Sequence, residues 1–137
     1  MATSDNVLRA GLTPKHRDVD NLLASLTWTF GVTHAVTPTP APLASDSATA
    51  PYSRVYAPPV PEFSVVQVVL PPGGREVHRA LDGPSILIVT QGAGTLGAED
   101  EEIALQEGAV VFIGAGVGVV FASGSAERLG LYRAYYP

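Results

Sequence analysis

From residue 52 to the C-terminus, short runs of β-branched and aromatic residues alternate with breaks rich in Gly and Pro. The runs read "SRVYA", "EFSVVQVVL", "EVHRAL", "SILIVT", "GTLGA", "EIALQ", "AVVFIG", "GVVFA" and "LGLYRAYY". Strands at this close spacing predict a mainly β protein, a sandwich or barrel. The last run alternates most plainly. Leu129, Leu131, Arg133 and Tyr135 fall on one face of it, and Tyr132, Ala134 and Tyr136 on the other. "GAEDEE", between two of the runs, reads as a solvated acidic hairpin tip.

The first third has a different texture. In "DVDNLLASLTWTF", Val19, Leu22, Leu23, Leu26 and Phe30 follow the spacing of an amphipathic helix, predicted near 19–28, with Asp18 or Asp20 as its cap. Residues 1–17 read as extended, with Pro14 as a breaker. Residues 31–50, "GVTHAVTPTPAPLASDSATA", have no period and read as a linker or long surface loop that carries His34.

Composition narrows the chemistry. A chain of 137 residues, 46% hydrophobic, can build one core with an appendage. Its apolar runs are broken by Gly and fall short of the roughly 18–20 residues of a membrane span, so no membrane partner is expected. The start, "MATSDNVLRAGLTPKHRDV", lacks the apolar core of a signal peptide. A net charge of −5 with no basic stripe argues against a nucleic-acid partner. The absence of cysteine excludes disulfides, thiolate metal sites and cysteine nucleophiles, and suits a cytoplasmic location. The three histidines, His16, His34 and His78, are not spaced as ligands on one element, so no metal site is expected within this chain.

The stretch "PGGREVHRALDGPSILIVTQGAGTLGAEDEEIALQEGAVVFIGAG" resembles a cupin jelly roll. "TQGAGTL" is similar to the end of the first cupin motif, turning at Gly92 and Gly94, and "LQEGAVVFIGAG" is similar to the second. Glycine suits such corners, which need positive φ or close backbone approach. Metal-binding cupins present two His and a Glu from the first motif and a His from the second. Here the first motif offers only His78, expected as a structural residue, and the second offers none. Ile86, Ile88, Val110 and Phe112 stand where packing residues belong, so the barrel is expected to be filled by side chains and to act structurally or at an interface.

"MATSDNVLRAGLTPKHRDVDNLLASLTW" resembles the late catalytic-domain segment of type I phosphomannose isomerases, and "YAPPVPEFSVVQV", "LDGPSILIVTQGAGTL", "GAVVFIGAG" and "YRAYYP" resemble that family's C-terminal jelly roll. The resemblance spans nearly the whole chain except the linker. It implies three parts: residues 1–18 end a catalytic-domain segment, 19–50 form a short helix and Pro/Ala-rich linker, and 51–137 form a jelly roll without a metal site. It also implies that Met1 matches an internal Met of a longer chain. The family interconverts mannose 6-phosphate and fructose 6-phosphate with one zinc. Its Gln, His, Glu and His ligands would lie upstream, so this chain would bind no zinc and be inactive alone.

The resemblance assigns Arg9, in "RAGLTPK", as an active-site arginine. A guanidinium there would stabilise negative charge on the substrate oxygens or hold the phosphate with a bidentate fork. Lys15, at the end of the motif, would add positive field near the phosphate. His16 falls just outside. The partners implied are the missing N-terminal catalytic portion and a sugar phosphate. Without that portion, residues 1–17 and the helix would lack contacts and the chain could self-associate. Two other readings compete. One is a metal-free cupin acting as a binding or scaffold module; the other, weakened by the histidine count, is an independent metal-dependent cupin enzyme.

Overall fold

The computed structural model describes residues 7–27, 38–43, 50–59, 61–98, 101–124 and 126–137. The chain divides into a first unit ending at residue 37 and a second beginning at residue 38.

In the first unit, helix α1 spans Val19–Ser25. Asp18 is its N-cap, accepting from the Asn21 N–H at 3.2 Å and from Asn21 Nδ2 at 2.6 Å. The helix is shorter than the 19–28 its periodicity predicts. The Ser25 hydroxyl donates back to the Leu22 carbonyl at 2.8 Å, the Leu26 N–H bonds three residues back to Leu23, and Leu26 itself is extended (φ −72°, ψ 130°). Such side-chain-to-backbone bonding competes with helix continuation. Phe30, the last residue of the predicted stripe, lies outside the described residues. Residues 7–17 form no helix or strand. No helix among the described residues is long and apolar enough to cross a membrane.

The second unit is a two-sheet β-sandwich. Its strands are β1 Ala41–Pro42, β2 Ser53–Tyr56, β3 Ser64–Leu70, β4 Arg75–His78, β5 Ser85–Gln91, β6 Ala93–Ala98, β7 Glu101–Gln106, β8 Val110–Ile113, β9 Val119–Ser123 and β10 Leu129–Tyr135. One sheet runs β1-β2-β3-β10-β5-β8 and the other β4-β9-β6-β7, with antiparallel pairing throughout. The nine predicted runs correspond to β2 through β10, and the Pro/Ala-rich stretch supplies the short edge strand β1. Where two strands meet with alternating burial, each sheet turns one apolar face inward. Val66, Val68, Leu70, Leu87, Val89, Leu129 and Leu131 from the larger sheet meet Leu96, Leu105, Val119 and Phe121 from the smaller one. At about 1.5–3 kcal/mol for each large apolar side chain buried, this interior is the main source of stability.

Gly92, at the β5–β6 corner, has φ +74°, and a Cβ there would stand 1.9 Å from the Arg128 carbonyl oxygen. Gly94 has no such dihedral but meets the Ala122 carbonyl oxygen as closely, 2.1 Å from a would-be Cβ. Both corners of the first motif thus need glycine, for different reasons.

The larger sheet corrects one expectation. Ile86, Ile88, Val110 and Phe112 do not fill the barrel; they are 52%, 44%, 63% and 68% exposed. Their neighbours Leu87, Val89 and Ile113 point inward instead, with Val111 packed against the core. "SILIV" and "VVFI" are apolar at both parities, so alternation could not say which half faces the core.

Candidate functional site

Among the described residues, two places hold the side chains with chemical potential, one in each unit. In the first unit the loop carrying the "RAGLTPK" motif folds back on the start of α1. The Asp18 N–H donates to the Arg9 carbonyl at 2.9 Å, which fixes the backbone of Arg9 next to the helix cap. The Arg9 side chain is half-buried. Lys15 is exposed, and its own N–H donates to Thr13 Oγ1 at 3.2 Å, an ST-type turn directly after Pro14. His16 is exposed as well. The Asp18 carboxyl is held below its usual range, first by the Asn21 side-chain hydrogen bond, then by the Asn21 backbone N–H, with the nearby His16 adding to the effect.

The second place lies inside the sandwich. β4 reads "REVH", so its period of two sends Glu76 and His78 to the same, inward face. Both are almost wholly buried, as is Ser53 at the start of β2 in the opposite sheet. His78 Nε2 stands 2.9 Å from Glu76 Oε1 and 3.0 Å from Ser53 Oγ. The Ser53 hydroxyl donates to Glu76 Oε1, and the Tyr52 N–H donates to Glu76 Oε2 at 3.0 Å. The His78 ring also meets Phe121 edge-on, with centroids 5.0 Å apart. One carboxylate therefore ties the entry of β2 to β4 across the interior. Sequence reasoning singled out His78 and missed its two partners. The i, i+2 spacing of Glu76 and His78 on a strand carried the signal for the first; nothing local marked Ser53.

A Ser, a Glu and a His in contact invite comparison with a nucleophilic triad. There the acid orients one ring nitrogen while the serine meets the other. Here Glu76 and Ser53 both meet Nε2, and the Ser53 hydrogen is directed at the carboxylate, away from any attack path. The cluster satisfies buried polar groups and holds two sheets together.

Beside it, Arg133 is buried and its Nε donates to Ser85 Oγ at 2.9 Å. Val66, His78, Leu81, Arg133 and Tyr135 border a cavity of about 40 Å³. That is room for one or two ordered waters. Among the described residues no group of three or more His, Asp or Glu side chains is arranged to hold a metal. Both oxygens of Glu76 are taken by donors, so the Ser53–Glu76–His78 cluster does not fit a zinc ion.

The sequence and the fold both have known relatives. Residues 53–101 match the family described as phosphomannose isomerase type I C-terminal. Across 98% of the chain, the sequence is 39% identical to a mannose-6-phosphate isomerase of Cryptococcus neoformans, covering 30% of that protein. It is 38% identical to mannose-6-phosphate isomerase 2 of Arabidopsis thaliana over 98% of the chain and 28% of the relative. The chain thus spans about a third or less of the length of these relatives. Among solved structures, a cupin-like protein of Thermotoga maritima is 27% identical, with a TM-score of 0.53 over 60% of this chain and 66% of that one. A Bacteroides fragilis cupin at 18% identity has a TM-score of 0.54 over 77% of this chain and 80% of its own. The sandwich of this chain is a cupin fold, and its residues 53–101 are similar to the phosphomannose isomerase type I C-terminal family.

Proposed function

We propose that the chain is the C-terminal part of a zinc-dependent mannose-6-phosphate isomerase, which interconverts mannose 6-phosphate and fructose 6-phosphate in the cytoplasm. The observation that carries this reading is similarity that does not stop at the sandwich. It runs over 98% of the chain and so includes the Arg9 segment. The zinc of such an enzyme is held by residues outside these 137, and residues 1–18 contribute to a site completed elsewhere.

Aldose–ketose isomerisation moves a proton between C1 and C2 through an enediol, and negative charge builds on the sugar oxygens. Arg9 supplies a permanent positive charge with five donors, suited to that charge or to the phosphate. Its backbone bond to Asp18 limits where the guanidinium can reach. Lys15, a compact cation on a flexible stem, serves the phosphate as a point charge. The proton-moving base belongs to the upstream part.

The test is to graft the chain in place of the matching region of the Cryptococcus relative and follow conversion of mannose 6-phosphate. The grafted enzyme should be active and the isolated chain inactive. Arg9→Ala should lower kcat/KM by about 10²–10³, the usual cost of losing one donor to a developing oxyanion. Lys15→Ala should mainly raise KM. A grafted enzyme indifferent to Arg9→Ala would sink the assignment of Arg9.

A further inference from the structure

The outward face of the larger sheet is apolar where it ends. Ile86 pairs with Phe112 and Ile88 with Val110 across β5 and β8, so the four exposed side chains form one block on two hydrogen-bonded strands. Singly exposed apolar residues are ordinary, whereas a contiguous block marks a contact surface. Tyr132 continues the face on β10 opposite Ile88, and its hydroxyl accepts from Gln67 Nε2 at 2.9 Å. The block therefore grades into a polar margin, as interfaces do. β8 is also the last strand of its sheet, and "VVFI" carries no charge or proline. Sheet edges left open to water normally carry such protection.

In the first unit, part of the apolar stripe of α1 is exposed. No residue of α1 is buried, and Val19, Leu23 and Leu26 are each more than 40% exposed. The relatives, meanwhile, carry more than twice as much polypeptide again beyond the matched region, because the chain covers only 28–30% of the Cryptococcus and Arabidopsis proteins. We infer that the β5–β8 face, centred on Ile86, Ile88, Val110 and Phe112, docks onto an uncharged apolar surface of the isomerase polypeptide that this chain does not cover. This rests on the isomerase reading above. The partner is tethered in the same chain, where a high effective concentration favours it over a second copy of the sandwich.

The absence of cysteine permits a direct test, since Phe112→Cys introduces a single thiol on the face. Alkylation by iodoacetamide is followed at that peptide by mass spectrometry, in the 137-residue chain and in the grafted full-length protein. Glu102→Cys, on the smaller sheet, is the control. Circular dichroism first checks that each variant keeps the parent's β signal. Grafting should slow alkylation of Phe112→Cys about tenfold or more and leave the control within about twofold. Equal rates in the two contexts would overturn the inference. Protection in the isolated chain that grows with concentration would also overturn it, by making a second copy the occupant. Isomerase activity of the graft carrying neither cysteine substitution is measured separately. Activity without protection rejects the docking face and keeps the isomerase reading; protection without activity does the reverse.

Discussion

His78 Nε2 lies 2.9 Å from Glu76 Oε1, two residues earlier on the same strand, and both side chains are buried between the sheets. The pair stays in place because Ser53 and the Tyr52 N–H complete the carboxylate's bonding from the other sheet. Removing the carboxylate leaves the Tyr52 N–H without its acceptor and takes the shared partner from the buried Ser53 and His78. Glu76→Ala should therefore cost about 2–4 kcal/mol, read as a lower urea midpoint with an unchanged slope. Glu76→Gln keeps an acceptor and should cost less. Equal losses for the two would show that volume, not bonding, matters at this position.

Gly92 and Gly108 both have positive φ, but only Gly92 is crowded. Gly108→Ala meets nothing within 4 Å and should cost about 1 kcal/mol, the left-handed penalty alone. Gly92→Ala forces a methyl group against the Arg128 carbonyl, so the β5–β6 corner and the turn before β10 must separate. Its loss should be clearly the larger in thermal unfolding, and matching melting temperatures would refute the close approach.

The parity of β5 gives a paired comparison. Leu87 is fully buried and Ile88 is 44% exposed, though they are adjacent and similar in size. Leu87→Ala should cost about 2–5 kcal/mol and Ile88→Ala well under 1 kcal/mol in the isolated chain. Reversed costs in denaturant titrations would mean the strand faces the other way.

Asp18 sets a pH limit on α1. Its carboxyl titrates below the ordinary value because the Asn21 side chain and N–H bond to the charged form. A folded value below the unfolded one, about 3.9, means the cap's contribution is fully present above that pH. It is lost as pH falls through the lower folded value. Backbone chemical shifts of residues 19–25 should stay helical down to about pH 4 and lose helicity in more acid solution. Asp18→Asn, also a good cap, should remove that pH dependence while keeping the helix. Loss of helicity near neutral pH would contradict this.

The sequence by itself determined the number and places of the strands from Ser53 onward, because β-branched runs between Gly and Pro breaks have few other uses. It also placed the helix start, because Asp18 ahead of an apolar stripe is a local signal. The alternation of β10 was legible too, but not which side faces inward: Arg133 lies on the buried side, where a charged residue is not expected from sequence alone. Only the tertiary structure decided the facing of β5 and β8. Their residues are apolar on both sides, and burial depends on which strand lies across the sandwich. Ser53, Glu76 and His78 come together for the same reason: their contact spans two sheets and 25 residues of chain, a distance no local pattern encodes.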